Sequence, residues 1–137
     1  WLLAYLRVPS LVMQLLLGIS DNKYIVLLII NVFLLILGML MDMGILILLV
    51  TPILLPVVVR LGMSPIQFGI VLMLNLGIGL CTPPVGTSLF IGCAIAKIRI
   101  ESTLKALMPF YAVMFVVLMI ATYWPDFSLW LPGILFK

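Results

Sequence analysis

The chain has 137 residues, of which 66% are hydrophobic and 8% charged, and its mean hydropathy is +1.48. Soluble domains carry about a quarter charged residues, so a water-soluble fold would have to build its own exterior from apolar side chains. The composition therefore excludes a water-soluble domain and predicts a membrane protein. The apolar runs are long and continuous and do not alternate at every second residue, which favours spanning helices over a barrel.

The formal net charge is +3, from seven Lys and Arg residues against four Asp and Glu residues. These charges fall at the ends of apolar runs, which is typical of loop charges that orient membrane helices and predicts no nucleic-acid partner. The absence of histidine and the presence of only two cysteines argue against a zinc or iron site. Cys93 follows Cys81 by twelve residues. On one helical axis their separation would be about 18 Å, too far for a disulfide.

Residues 1–23 predict the end of a membrane helix followed by an interfacial or arm helix. We expect Trp1–Leu6 to be the tail of a membrane helix whose start lies before Trp1. Ser10–Gly18 is apolar but only about 14 Å long as a helix, too short for a hydrocarbon core of about 30 Å. Because the chain begins inside an apolar run without Met, we expect it to be a fragment of a longer protein.

Residues 24–60 predict a helical hairpin with its tip near residues 38–44. Two apolar runs, Tyr24–Met41 and Ile45–Val59, flank a glycine-bounded stretch in which Asp42 is the charged residue. Two complete spans joined by a tight loop and a re-entrant hairpin that dips into the membrane are both open. An acid at membrane depth is costly and usually functional, whereas in an aqueous loop Asp42 would serve as a helix N-cap.

Residues 64–97 predict one transmembrane helix that is broken at residues 79–86. Ser64 and Pro65 have the pattern of an N-cap and a first helical residue. The apolar runs on either side of the break are about 23 and 18 Å long, too short to span alone. The run NLGIGLCTPPVG between them holds three glycines and two consecutive prolines, which cannot continue an α-helix. The alternative is a proline kink with glycines that permit tight packing.

Residues 104–124 predict a final transmembrane helix, and residues 125–137 predict an aromatic interfacial tail. Pro109 is expected in the first turn of that helix. The basic loop Lys97–Lys105 would be cytoplasmic by the positive-inside rule. Three other cations would then fall on the opposite side, so the charges alone do not fix the orientation: Arg7, Lys23 and Arg60.

Isolated polar residues within the apolar runs predict hydrogen bonds between helices, at about 0.6 kcal/mol each on average. We interpret these residues as structural and not as part of a binding site. These residues are Asn31, Thr51, Gln67, Thr87 and Ser88.

The two interruptions, at residues 38–44 and 75–86, carry the functional signal. A break inside a membrane helix frees carbonyl and N–H groups that would cost several kcal/mol each in lipid, so it must face protein or a water-filled cavity. Half-helix N-termini favour anions, and exposed carbonyls favour cations such as Na⁺. A pair of glycine- or proline-interrupted segments indicates the binding site of a transporter.

At these positions the chain resembles the C-terminal part of the large membrane (M) subunit of tripartite ATP-independent periplasmic (TRAP) transporters. The resemblance covers nearly the whole chain. Its most specific pieces are the Gly38 and Asp42 pair, the LGMSP turn at residues 61–65, Gly69, and NLGIG leading into TPPVG at residues 75–86.

The resemblance implies an all-α, polytopic integral membrane helix bundle that forms the second inverted repeat of an elevator-type secondary transporter. In such a repeat, a re-entrant helical hairpin, here with its tip at Gly38–Asp42, meets a broken transmembrane helix, here at Gly79–Gly86. The first repeat would lie in the missing N-terminal part of the large subunit.

The family imports organic acids, such as C4-dicarboxylates, sialic acid or similar carboxylates, together with Na⁺ across the bacterial inner membrane. The resemblance implies Na⁺ as the coupling ion, no other cofactor, a small membrane (Q) subunit and a periplasmic substrate-binding protein as partners. The residues expected to bind Na⁺ are Gly38, Asp42, Asn75, Gly77, Gly79 and Thr82. The residues expected at the broken helix and substrate site are Pro83, Pro84, Val85 and Gly86.

Three alternatives stay open. One is another ion-coupled carboxylate transporter of similar architecture. A second is an intramembrane aspartyl enzyme that uses Asp42, which would need a second carboxylate to share a proton. A third is a scaffold subunit without transport activity, which leaves the costly TPPVG break without a purpose.

Overall fold

The computed structural model of the chain describes residues 14–15, 18–19 and 22–135, and the statements below concern those residues. Most of residues 1–21, on which the expected arm helix rests, lie outside this range. Between residues 22 and 135 the chain is helical, without a β-strand. The helices in that range are α1 (Lys23–Leu40), α2 (Met43–Arg60), α3 (Pro65–Leu80), α4 (Thr87–Ala96), α5 (Ile100–Tyr123) and α6 (Pro125–Leu135).

Three of these helices are long and apolar enough to cross a membrane: α1 and α2, with 18 residues each, and α5, with 24. The remaining apolar helices are shorter, since α3 has 16 residues and α4 has 10. At 1.5 Å per residue neither matches a hydrocarbon core of about 30 Å. The all-helical class with candidate membrane spans, expected from composition, is confirmed for the described residues.

The observed helix ends differ from the expected ones mainly in the C-terminal third. Helix α5 begins at Ile100, after Arg99 as its N-cap residue, so the non-helical basic connection is only Lys97–Arg99. Pro109 therefore lies inside α5 and not in its first turn. The expected aromatic tail contains helix α6, which starts with Pro125, a position where the missing N–H of proline costs nothing.

Only Met41 and Asp42 join α1 to α2, so the two helices form a tight hairpin, as the short connection requires. Met41 ends α1 in an extended conformation. Asp42 is the N-cap of α2, and its Oδ1 accepts a hydrogen bond from the backbone N–H of Gly44 at 2.9 Å. The hairpin tip thus has its own local stabilisation.

Helix α3 lies at the centre of the packing, because it contacts each of the other five helices. A buried apolar cluster joins it to α1 and α2 and includes Leu34, Leu54 and Phe68. A second cluster joins it to α5 and includes Ile78 and Leu118. The hairpin and the last long helix are therefore held together through α3.

Helices α1 and α3 approach backbone to backbone where Gly38 faces Gly79. A Cβ atom built on Gly79 would lie 2.5 Å from the carbonyl carbon of Gly38, and one built on Gly38 would lie 3.3 Å from the Cα of Leu76. No side chain fits at Gly79 without moving one helix away from the other. This crossing holds the end of α1, next to the hairpin tip, against the last turn of α3.

We expect Gly79→Ala to lower the free energy of unfolding of the purified protein in detergent by about 1–3 kcal/mol, because it overpacks the crossing. Gly69→Ala on the same helix is the matched control, since a Cβ there meets nothing within 4 Å. That control should be neutral or stabilising by up to about 1 kcal/mol, because interior glycine disfavours a helix. Equal unfolding midpoints for the two variants would contradict the crossing.

Candidate functional site

The break that the sequence predicts is the connection between α3 and α4. Helix α3 ends at Leu80 and α4 begins at Thr87. Between them, Pro83 and Pro84 are joined by a cis peptide bond, and neither has an N–H to continue the helical ladder. The C-terminal carbonyls of α3 and the N-terminal N–H groups of α4 therefore meet at one connection.

Backbone carbonyls in the last turn of α3 accept hydrogen bonds from the residues that precede the prolines. The N–H of Cys81 donates to the carbonyl of Ile78 at 3.1 Å, and the N–H of Thr82 donates to the carbonyl of Gly79 at 3.0 Å. The Thr82 hydroxyl also donates to the Ile78 carbonyl, at 2.6 Å. Because that hydroxyl donates its proton to a carbonyl of the same helix, its oxygen can act only as an acceptor toward other groups.

Gly86 brings further carbonyl oxygens together. Gly86 is the N-cap residue of α4, and its φ of +24° is a conformation that residues with a side chain disfavour. A Cβ there would lie 2.8 Å from the carbonyl oxygen of Thr82 and 3.4 Å from that of Leu80. Two carbonyls of the α3 end thus lie beside the start of α4, and only glycine leaves room for them.

Tyr111 ties the break to α5. Its hydroxyl donates a hydrogen bond to the carbonyl of Cys81, the C-cap residue of α3. One of the carbonyls freed by the break is thereby satisfied from a different helix.

Four of the residues expected in the site form a contiguous group through these contacts. Gly38 lies against Gly79, Gly79 accepts from the Thr82 N–H, and the Thr82 carbonyl lies beside Gly86. Three further residues expected at the broken helix lie in the same connection: Pro83, Pro84 and Val85.

The other expected residues occupy different surroundings. Asp42 is exposed at the hairpin tip, where it caps α2. Gly77 lies on α3 with open space where a Cβ would be. Asn75 is fully buried one turn before Gly79, and its side chain turns to other helices. The structure therefore separates Asp42, Gly77 and Asn75 from the direct contacts around Thr82.

A buried polar network joins α1, α3 and α5. The Nδ2 of Asn75 donates to the Oδ1 of Asn31 at 2.5 Å, and the Nδ2 of Asn31 donates to the Thr122 hydroxyl at 3.0 Å. The Nε2 of Gln67 donates to the carbonyls of Ala121 and Thr122, both at 3.0 Å. Interhelical bonding by Asn31 and Gln67 was expected, but Thr122 carried no signal because it lies in the last turn of a predicted span.

Each hydrogen bond of this network is donated in the same order, from Asn75 to Asn31 to Thr122, so one acceptor of Asn75 receives no hydrogen bond. The Thr122 hydroxyl donates to the Leu118 carbonyl, so it accepts from Asn31, which in turn accepts from Asn75. The Nδ2 of Asn75 also donates to the Val71 carbonyl at 3.2 Å. The Oδ1 of Asn75 is consequently buried without a hydrogen-bond partner among the described residues. Such an orphan acceptor is costly unless a donor or a cation reaches it.

The two cysteines lie on either side of Pro83 and Pro84. Cys81 and Cys93 both line one cavity of about 210 Å³ beside α4 and α5, and both are free thiols. The Cys93 thiol donates to the Thr103 hydroxyl at 3.3 Å, and the cavity is mainly apolar, so both cysteines act as packing residues.

Residues 1–127 match the family model described as "Tripartite ATP-independent periplasmic transporter, DctM component". Among similar curated proteins, "Uncharacterized protein YgiK" of Salmonella typhimurium is 47% identical over 96% of this chain. The "Isethionate TRAP transporter permease protein DctMQ" of Oleidesulfovibrio alaskensis is 43% identical over 93% of it. The "C4-dicarboxylate TRAP transporter large permease protein DctM" of Vibrio cholerae is 36% identical over 94% of it.

The chain spans only part of these relatives. The matched region is 30% of the Salmonella protein, 20% of the Oleidesulfovibrio protein and 28% of the Vibrio protein. The similarity thus covers almost all of this chain and less than a third of each relative.

We expect Thr122→Val to lower the free energy of unfolding by about 1–3 kcal/mol, because it leaves the buried Nδ2 of Asn31 without its acceptor. Thr51→Val is the same chemical change at a hydroxyl oxygen that is buried and has no partner among the described residues. Its removal should leave stability equal or higher. Denaturant titration of both variants in detergent measures the difference, and an equal loss in both would refute the network.

Proposed function

The chain belongs to the DctM family of TRAP transporters, and we propose that it is part of the large membrane subunit of a Na⁺-coupled importer of organic acids. The observation that carries this proposal is the contact of Gly38 with Gly79 beside the break at residues 81–86. It joins the tip region of the hairpin to unwound backbone in one place, which is the arrangement that secondary transporters use for ions and substrates.

The proposed ion site uses oxygen atoms at the end of α3. Hard cations prefer carbonyl and hydroxyl oxygens, and the carbonyls of Leu80 and Thr82 converge beside Gly86. We assign Na⁺ binding first to Thr82, with Gly79 and Gly38 as the close backbone contact that holds this end of α3 against the hairpin. The other proposed contributors are Asn75 through its unpartnered Oδ1, Gly77 through its carbonyl, and Asp42, whose cap of Gly44 holds the tip in shape.

The proposed substrate site lies at the N-terminus of α4. This helix is separated from α3 by Pro83, Pro84, Val85 and Gly86. Because the N-cap residue Gly86 has no side chain, it cannot cap the first N–H groups of α4. Unsatisfied N–H groups and the helix dipole favour a carboxylate there. Relatives named for C4-dicarboxylate, sialic acid, 2,3-diketo-L-gulonate and isethionate suggest that the ligand is a small organic anion.

In this proposal, residues 24–60 are a re-entrant hairpin, and α3 with α4 is one broken transmembrane helix. Together they form the second inverted repeat of an elevator-type carrier in the bacterial inner membrane. The N-terminal part of the large subunit supplies the other repeat, a small Q subunit braces it, and a periplasmic protein delivers the substrate.

Two observations support a carrier over an intramembrane aspartyl enzyme. Asp42 is exposed, and its Oδ1 caps α2 by accepting from the N–H of Gly44. The relatives with functional names are permeases. The decisive experiment reconstitutes the complete large and small subunits in liposomes and measures uptake of the four anions above, with and without Na⁺ and the binding protein. Uptake of one anion that requires both supports the proposal, and uptake of none under a Na⁺ gradient refutes it.

We expect Thr82→Val to raise the Na⁺ concentration for half-maximal uptake about tenfold or more, because a hydrogen-bonding group to a charged ligand contributes about 1.5–3 kcal/mol. Thr82→Ser keeps the hydroxyl and should restore the wild-type value, and Thr51→Val is the control for loss of a hydroxyl elsewhere. An unchanged Na⁺ dependence in Thr82→Val would remove Thr82 from the site.

A further inference from the structure

A second cavity, of about 160 Å³, lies at the end of the bundle away from the hairpin tip. It is lined by the start of α1, the turn between α2 and α3, the first turn of α3 and the end of α5. The polar groups in its lining are Lys23, Tyr24, Gln67, Thr122 and Tyr123, and none of the lining residues is acidic. The proposed transport site does not use any of them.

The cavity lies at the ends of two candidate membrane spans. Lys23 is the first residue of one candidate span, and Tyr123 is the last residue of another. The Tyr123 hydroxyl donates to the carbonyl of Tyr24 at 3.0 Å, and the exposed Trp124 follows. Tyrosine and tryptophan concentrate at the headgroup level of a bilayer.

Lys23 supplies positive charge at the cavity. Its Nζ lies over the turn between α2 and α3, 3.6 Å from the position of a Cβ on Gly62, and it forms no ion pair with the described residues. Gly62, with a φ of +87°, gives the turn its shape. Lysine bordering a pocket between membrane helices is suited to the phosphate of a lipid headgroup.

Gln67 supplies a buried acceptor at the same cavity. Its side chain is only 3% exposed, and its Nε2 donates to two carbonyls of α5. These bonds fix the amide orientation, so its Oε1 is the atom left for a ligand; it accepts no hydrogen bond within residues 22–135. An acceptor beside a cation matches a ligand that combines a phosphate with hydroxyl groups.

We propose that this cavity binds the phosphate group of an anionic phospholipid, with Lys23 contacting the phosphate and Gln67 accepting a hydrogen bond from a headgroup hydroxyl. The volume has room for several water-sized groups, enough for a phosphate and part of a glycerol. Free inorganic phosphate shares the chemistry, but the two tyrosines in the lining, Tyr24 and Tyr123, favour the lipid. The inference does not depend on Na⁺ coupling or on the transported anion.

The test uses the intact transporter complex in nanodiscs of phosphatidylcholine, titrated with labelled phosphatidylglycerol. Wild type should bind phosphatidylglycerol in preference to labelled phosphatidylcholine. Lys23→Gln should weaken that binding about fivefold, and Lys23→Arg should restore it. Lys105→Gln is the control, because Lys105 is exposed near the start of α5, the opposite end of that helix from the cavity.

Wild-type affinity in Lys23→Gln, or an equal loss in Lys105→Gln, would overturn the site. A third arm adds millimolar inorganic phosphate. Displacement of the lipid by phosphate would assign the cavity to a free anion and overturn the lipid assignment, whereas unchanged lipid binding supports it. Lys23 is exposed, so its replacement leaves the apolar core intact.

Discussion

The side-chain-free crossing of α1 and α3 is the constraint on which the rest of the arrangement depends. Because Gly79 has no room for a Cβ against Gly38, the hairpin arm and the last turn of α3 meet as bare backbone. Small residues are what allow such approach between membrane helices, where apolar side chains gain little over lipid. The crossing thereby holds the hairpin tip region beside the start of the break.

The buried amide network holds the same helices at the other side of the crossing. Asn31, Asn75 and Thr122 link α1, α3 and α5 by directional bonds, whereas the burial of apolar side chains is non-directional. Each bond adds little energy in a membrane, about 0.6 kcal/mol on average. Their contribution is orientation, since a rotated α3 would leave several buried polar groups unpaired at once.

The sequence was sufficient where the signal is local. Apolar run lengths, the Ser64-Pro65 start and the double proline placed α1 to α4 within a few residues of their observed ends. It does not give the start of α5, because the mixed polar and apolar residues 100–105 are compatible with both a loop and a helix. It also could not pair Gly38 with Gly79 or Thr122 with Asn31, since contacts across 41 and 91 positions leave no periodic trace.

The hydrogen bond from Tyr111 to the Cys81 carbonyl has a consequence for coordination number at the break. The carbonyls of Ile78, Gly79 and Cys81 already accept hydrogen bonds from within the chain. The carbonyls of Leu80 and Thr82, beside Gly86, accept none from the described residues. In the proposed ion site, these two carbonyls and the Thr82 hydroxyl would supply only part of a coordination shell. An ion bound there would need further oxygen ligands from water or from segments outside this chain. Binding of the ion would therefore depend on whether those ligands are present.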